Sequence, residues 1–415
     1  MIRSPRALLS AALLTAACAQ PAVPPPVPVA PVVPAAEVPP PTRPFAVLRK
    51  LPIAAWTQAE REYVFPRWDA YVHAIHVVKR GARPHPLPDG APLAALQPGS
   101  PLATRLDRDV AEHQVVGLLV LVDGKVRLER YAHGQTAGGR WPSFSVVKSI
   151  TSTLVGAALQ DGFIRSVDDP VTQYIPELAG SAYDGVTVRQ VLTMTSGVKW
   201  NEDYSDPASD VVRFYQTPVE PGVDATVSYL RKLPREAPPG QKWVYKTGET
   251  NLLGVLVAAA TKKPLADYLS EKIWSAYGME TDAVWQLDRS GHEHGGSGLA
   301  ATLRDFARFG QFILEGGVVD GRPVLPADWL PTATRKQEDT DEPGTGYGYQ
   351  WWTRDDGTFF AVGIHGQMVS IDRPRRLVIA LNSVWPVATG KAEREGRAEL
   401  VRTIAAAVDA ESRSP

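Results

Sequence analysis

The run Ser145-Val146-Val147-Lys148 sets a hydroxyl and an amine three residues apart at the start of a strongly apolar stretch. A serine hydroxyl is a weak nucleophile near neutral pH and needs a neighbour that takes its proton. A desolvated lysine, or a phenol beside it, does that. Ser145 to Leu159 carries apolar side chains at Val146, Val147, Ile150, Leu154, Val155 and Ala158, with Gly162 just beyond, so the spacing predicts a buried helix. Positions i and i+3 share a helix face, which points Lys148 back at the hydroxyl. Ser145 itself falls at the helix N-terminus, where unpaired N–H groups and the positive end of the dipole favour an anion. The chemistry of such a pair is attack on an acyl carbon, leaving the serine acylated.

Ordinary composition produces a Ser-x-x-Lys by accident about once in a chain of this length. A second copy is present, Ser196-Gly197-Val198-Lys199. It has no apolar run behind it and reads as the loop after the segment Val188 to Met194, so Ser145 is the candidate.

The elements that must position this pair are legible in outline. Val115 to Val122, then Asp123-Gly124, then Lys125 to Tyr131 is a hairpin signal. Residues from about 162 to 298 read as helices joined by Pro-, Gly- and Asp-rich loops, among them Val188 to Met194, Ala225 to Leu233 and Thr250 to Thr261. Leu303 to Leu314 is a helix with an aromatic face. Strand signals follow at Gly346 to Trp352, Thr358 to Ile364 and Leu377 to Asn382, and a last helix at Ala392 to Ala410. Strands at both ends with helices between them predict a mixed α/β (α+β) domain. Its mostly helical subdomain is inserted in the middle, and a cleft opens where the two parts meet.

Composition bounds the partners. The chain has 415 residues, 44% apolar and 21% charged, which suits a globular protein with a sizeable core. A net charge of -1 with no basic stripe predicts no nucleic-acid partner. Arg3 and Arg6 precede an apolar segment from Ala7 to Ala17 that is too short to span a bilayer, so residues 1–18 are expected to be a secretory signal. Cys18, the single cysteine, stands where a bacterial lipoprotein is lipidated. Plain cleavage after Ala19 is the alternative. Lipidation would make the membrane a partner through that anchor alone, with the protein facing the periplasm. From Pro21 to Pro44 nearly half the residues are proline, which predicts an extended polyproline linker over 19–48. At ~3.1 Å per residue it reaches up to roughly 75 Å, leaving 49–415 as the catalytic unit.

Four segments beyond Ser145 carry a family resemblance. Trp243-Val244-Tyr245-Lys246-Thr247 resembles the Tyr-x-Asn segment of the serine β-lactamase-like hydrolases, the group of class C β-lactamases, penicillin-binding carboxypeptidases and related esterases. Gly296 to Thr302 resembles its Gly-rich turn. Leu192 to Gly197 is similar to its LLxHTSG segment, with Met194 in place of His. Ala361-Val362-Gly363-Ile364-His365-Gly366-Gln367 takes the place of its Lys-Thr-Gly strand. The resemblance implies an antiparallel sheet flanked by helices. Within the group, SFSVVKS at 143–149, WNEDYSDPASD at 200–210 and GIHGQ at 363–367 most resemble the 6-aminohexanoate-dimer hydrolases, which open a linear amide and have esterase relatives.

Carried onto these positions, the resemblance implies Ser145 as nucleophile, with Lys148 and Tyr245 handling its proton. Lys148 is expected to lower the Tyr245 pKa by its charge; which of the two is the principal base stays open. The oxyanion is expected to sit between the N–H groups of Ser145 and, with Gly363 aligned to the Gly of Lys-Thr-Gly, Ile364. A rival register puts His365 in the place of the Lys. Tyr204, His365 and Trp351 are expected to shape the substrate site, Tyr204 by bonding the scissile amide. Two departures stand out: Ala361 removes the Lys that would hold a carboxylate, and Thr247 removes the Asn. Both point away from β-lactams and toward small amides or esters, with no metal and no cofactor. A carboxylesterase that barely touches amides and a lapsed enzyme that binds cell-wall peptides are the alternatives. His292-Glu293-His294 is too short for a zinc signature, His73 and His76 lack a third ligand, and no Gly-x-Ser-x-Gly elbow occurs.

Overall fold

The computed structural model describes Met1 and residues 39–412, so Cys18 and most of the proline-rich segment lie outside the described residues. Val115–Val122 is buried at every position because helices cover both faces of its sheet. Leu119 and Leu121 join one core, with Val369, Val378 and Ala380. Leu118, Val120 and Val122 join another, with Met368, Ile379 and Leu381. Alternate side chains thus face opposite layers, and a strand covered on both sides reads as an unbroken apolar run.

Eight antiparallel strands form this sheet, in the order Lys125–Tyr131, Val115–Val122, Leu377–Ser383, Gln367–Asp372, Phe359–Gly363, Trp352–Arg354, Thr345–Tyr347, Glu338–Asp339. The Val147–Gln160 and Leu303–Leu314 helices pack on one face, Pro101–Glu112 and Lys391–Ser412 on the other. Leu303–Leu314 lies close to the sheet: a Cβ on Gly310 would stand 2.5 Å from Val378 Cγ1. The fold is the β-lactamase/transpeptidase-like one, antiparallel sheets flanked by helices.

A second sheet of four strands, Ile75–Val78, Ala283–Gln286, Leu299–Thr302 and Arg140–Pro142, closes the domain beside the turn that carries Ser145. Its Ala283–Gln286 strand falls inside the 162–298 range expected to be mostly helical; the rest of that range is helices and loops. The linker boundary also moves. Arg43 pairs with Glu60, Phe45–Leu48 is a helical turn, and Leu48 is fully buried, so the folded part begins before residue 49. Among the described residues no helix is long and apolar enough to cross a membrane.

Candidate active site

Phe144–Val146 is a tight turn that leads into the Val147–Gln160 helix. Phe144 carries a left-handed φ of 43°, and its ring packs on Phe65 at 5.2 Å and Trp68 at 5.8 Å. This aromatic cluster holds a backbone conformation that a bulky residue adopts only at a cost. The turn sets Ser145 at the mouth of the helix, 8% exposed, with Lys148 fully buried one turn on.

Lys148 Nζ donates to Thr247 Oγ1 at 2.9 Å and to the Gly296 carbonyl at 2.8 Å. It lies 5.3 Å from the centre of the Tyr245 ring. Both acceptors are themselves fixed: Asn251 Oδ1 accepts from Gly296 N–H at 2.7 Å, and Thr247 donates its hydroxyl to Glu202. Burial drives the Lys148 pKa down to about 8, against the opposing charge of Glu202. A neutral amine has two N–H bonds and one lone pair. The two acceptors take both hydrogens and leave the lone pair free.

Tyr245 departs from expectation. Burial first, then the charge of Glu202, raises its phenol well above the ordinary range, while a hydrogen bond with the Ser145 hydroxyl works the other way. The phenol is therefore protonated at neutral pH, and Lys148 is the group whose environment favours the free base. The ring stacks on Trp352 at 5.6 Å.

The Phe359–Gly363 strand runs against the nucleophile turn. A Cβ on Gly363 would stand 2.5 Å from Ser143 O and 3.1 Å from Ser145 N, so only glycine lets the two backbones approach this closely. Ile364 follows directly at the strand end, within reach of the same cleft. Ala361 faces the nucleophile-helix core with Phe359, while Phe360 faces the other layer. His365 falls past the strand, in the Ile364–Gly366 turn with φ 59°. Its Nδ1 meets the Trp385 carbonyl at 2.9 Å, and burial pushes its pKa down to about 4, so it is a neutral imidazole and no substitute for the missing lysine.

Ser145, Tyr204, Thr247, Ile364 and His365 line a cavity of about 250 Å³; Lys148 and Tyr245 are not among its lining residues. Trp351 does not reach it, contrary to expectation. It is fully buried against Phe359 at 5.3 Å and Phe309 at 6.2 Å, because its chain turns the indole into the helix layer. Ser196 is also fully buried, bonded to Glu249, with Lys199 exposed, so the second Ser-x-x-Lys holds no reactive pair. The residue the motifs did not single out is Glu202. It accepts from Thr247 N at 2.9 Å, from Tyr204 Oη at 2.7 Å and from Trp200 Nε1.

The beta-lactamase family pattern matches residues 102–403. The 6-aminohexanoate-dimer hydrolase of Paenarthrobacter ureafaciens is 34% identical over 304 residues, covering 69% of this chain and 77% of that protein. Among solved structures, a candidate 6-aminohexanoate-dimer hydrolase from Bacillus anthracis superposes with a TM-score of 0.72 at 26% identity, over 85% of this chain and 95% of that one. A penicillin-binding protein homologue from Caulobacter crescentus shares the fold at 17% identity, with a TM-score of 0.59 over 77% and 99% of the two chains. The chain belongs to the beta-lactamase family and is a hydrolase of the β-lactamase/penicillin-binding superfamily.

Proposed function

We propose that this hydrolase cleaves small linear amides or esters through an acyl-enzyme on Ser145. The observation that carries the reading is the wholly buried Lys148, which donates to Thr247 and Gly296 and whose pKa falls to about 8 one helical turn from Ser145. Ser145 Oγ attacks the acyl carbon while its proton passes through the Tyr245 hydroxyl toward the lysine lone pair. The tetrahedral oxyanion is held by the N–H groups of Ser145 and Ile364. Tyr245 returns a proton to the leaving nitrogen or oxygen as the bond to the acyl carbon breaks. Water then attacks the serine ester by the same route, releasing the acid.

Amides are favoured over esters by the state of Tyr204. Its O–H is donated to Glu202 at 2.7 Å, so toward the cleft its oxygen is an acceptor. An amide substrate supplies an N–H for it and an ester does not. The Arg3, Arg6 and Ala7–Ala17 pattern before Cys18 further supports an exported, lipid-anchored protein facing the periplasm. Palmitate labelling lost in Cys18→Ser tests that part.

The central test is mass spectrometry after exposure to a fluorophosphonate and, separately, to p-nitrophenyl acetate. A single adduct on Ser145, absent from Ser145→Ala, is expected. No adduct, or one on Ser196, overturns the assignment and leaves a peptide-binding cleft as the better reading.

A further inference from the structure

The family pattern begins at residue 102, yet one wall of the cleft is built from residues before it: Arg49–Ala54, Trp68 and Tyr71. This wall is where the cleft acquires charge. Among the described residues, the charged side chains lining it are Arg49 and Lys50, with no Asp or Glu. Ala361 stands where a strand lysine would otherwise supply a cation.

Arg49 is held in place. Its Nε donates to the Tyr71 carbonyl and Nη2 to the Ala70 carbonyl at 3.3 Å, with the guanidinium 5.7 Å from the Phe45 ring and 5.5 Å from the Tyr71 ring. Of its five N–H groups, two are thus used. The others have no acceptor, and the group has no carboxylate partner, among the described residues. Neighbouring Arg43 contrasts with it, being paired with Glu60. Lys50 is exposed and nothing fixes it. A planar guanidinium, oriented by backbone carbonyls and aromatic faces and left with free donors beside an apolar cavity, is complementary to a carboxylate.

We propose that Arg49 sets substrate class: the cleft takes acyl compounds that carry a carboxylate at the end remote from the scissile bond, bound by this guanidinium. The proposal rests on Ser145 as the nucleophile. A substrate ending in an ammonium meets only like charge on that wall and is disfavoured.

Three esters of matched length separate the cases in the full chain: mono-4-nitrophenyl adipate, 4-nitrophenyl hexanoate and 4-nitrophenyl 6-aminohexanoate. The expected order of kcat/KM is adipate first, by roughly tenfold over hexanoate, and the aminohexanoate ester last. The adipate advantage shrinks as salt is raised, since the site is partly open to solvent. Arg49→Gln collapses the adipate-to-hexanoate ratio toward one, chiefly through KM, whereas Arg49→Lys keeps part of it. Adipate as an inhibitor of hexanoate ester hydrolysis reads the same contact without a mutation and outcompetes hexanoate several-fold. Equal rates on adipate and hexanoate esters, equal inhibition by the two acids, or a ratio unchanged in Arg49→Gln overturns the proposal while leaving the nucleophile intact. No turnover of any of the three esters and no adduct on Ser145 instead means that the hydrolase reading itself has failed.

Discussion

The Thr247 hydroxyl stands between Lys148 and Glu202, accepting from the amine at 2.9 Å and donating to the carboxylate. It links a half-buried acid on the Trp200–Tyr204 loop to the buried amine. Glu202 also fixes Tyr204, so one carboxylate orients both the proposed proton acceptor and the proposed amide contact.

Replacing Glu202 by Gln removes a charge that raises the Lys148 and Tyr245 pKa values. The acidic limb of the kcat/KM profile, which reports deprotonation of the lysine, is expected to move to lower pH. Amide turnover is expected to fall by about tenfold as Tyr204 and Thr247 loosen. A limb that stays in place would mean that Lys148 is not the group titrating.

In the wild type, the folded pKa of Lys148 is depressed to about 8, below its ordinary 10.5. Activity therefore rises as pH increases through about 8. Stability has the same sign: the folded state binds fewer protons than the unfolded one between these values, so the penalty is full below about pH 8 and vanishes above the unfolded value. Its upper bound is about 3 kcal/mol. Lys148→Met is expected to abolish acylation while keeping a thermal midpoint near or above wild type at pH 7, the gap closing as pH rises. A midpoint far below wild type at pH 7 contradicts this.

Gly363→Ala places a methyl 2.5 Å from Ser143 O and presses the strand away from the nucleophile turn. Loss of one oxyanion donor corresponds to ~10²-fold or more in kcat. Overpacking adds about 1–3 kcal/mol of destabilisation. Steady-state kinetics on a single ester decides it: a rise in KM with kcat intact would place Gly363 in binding alone.

Tyr204→Phe keeps the ring and removes the oxygen proposed above to accept from the scissile N–H. On an amide and ester pair with the same acyl group, the amide rate is expected to drop about tenfold more than the ester rate, the worth of one hydrogen bond in a desolvated site. Equal losses would make the loop a lid and nothing more.

Where apolar pattern and local chemistry agree, the structure was legible in the sequence. Leu303–Leu314 has the expected ends, and the buried hairpin strand read as a continuous apolar run. Gln367–Asp372 was not legible. Gln367, Ser370 and Asp372 are buried polar residues, and Gln367 is satisfied by Ile364 O and Ser383 O, partners that no local pattern reveals. Trp351 and Trp352 are indistinguishable as letters, yet one is core and the other stacks on Tyr245. Glu202 sat inside a motif, but its value lies in a contact 45 residues away. Arg43 to Leu48 was absorbed into the proline-rich count, although the buried Leu48 belongs to the domain.

Within the large sheet Val115–Val122 pairs with Leu377–Ser383, elements from opposite ends of the globular chain. No hydrogen bond of that pair forms until almost the whole polypeptide exists. A nascent or threaded chain thus has the Lys125–Tyr131 hairpin partner in place but carries the other edge of its most apolar strand unpaired for most of its synthesis, a topology of high contact order that folds slowly and late. Any cell making this protein must keep that open edge of Val115–Val122 from other partners through that interval, and a chain ending before residue 377 lacks the strand that joins the hairpin to the rest of the sheet.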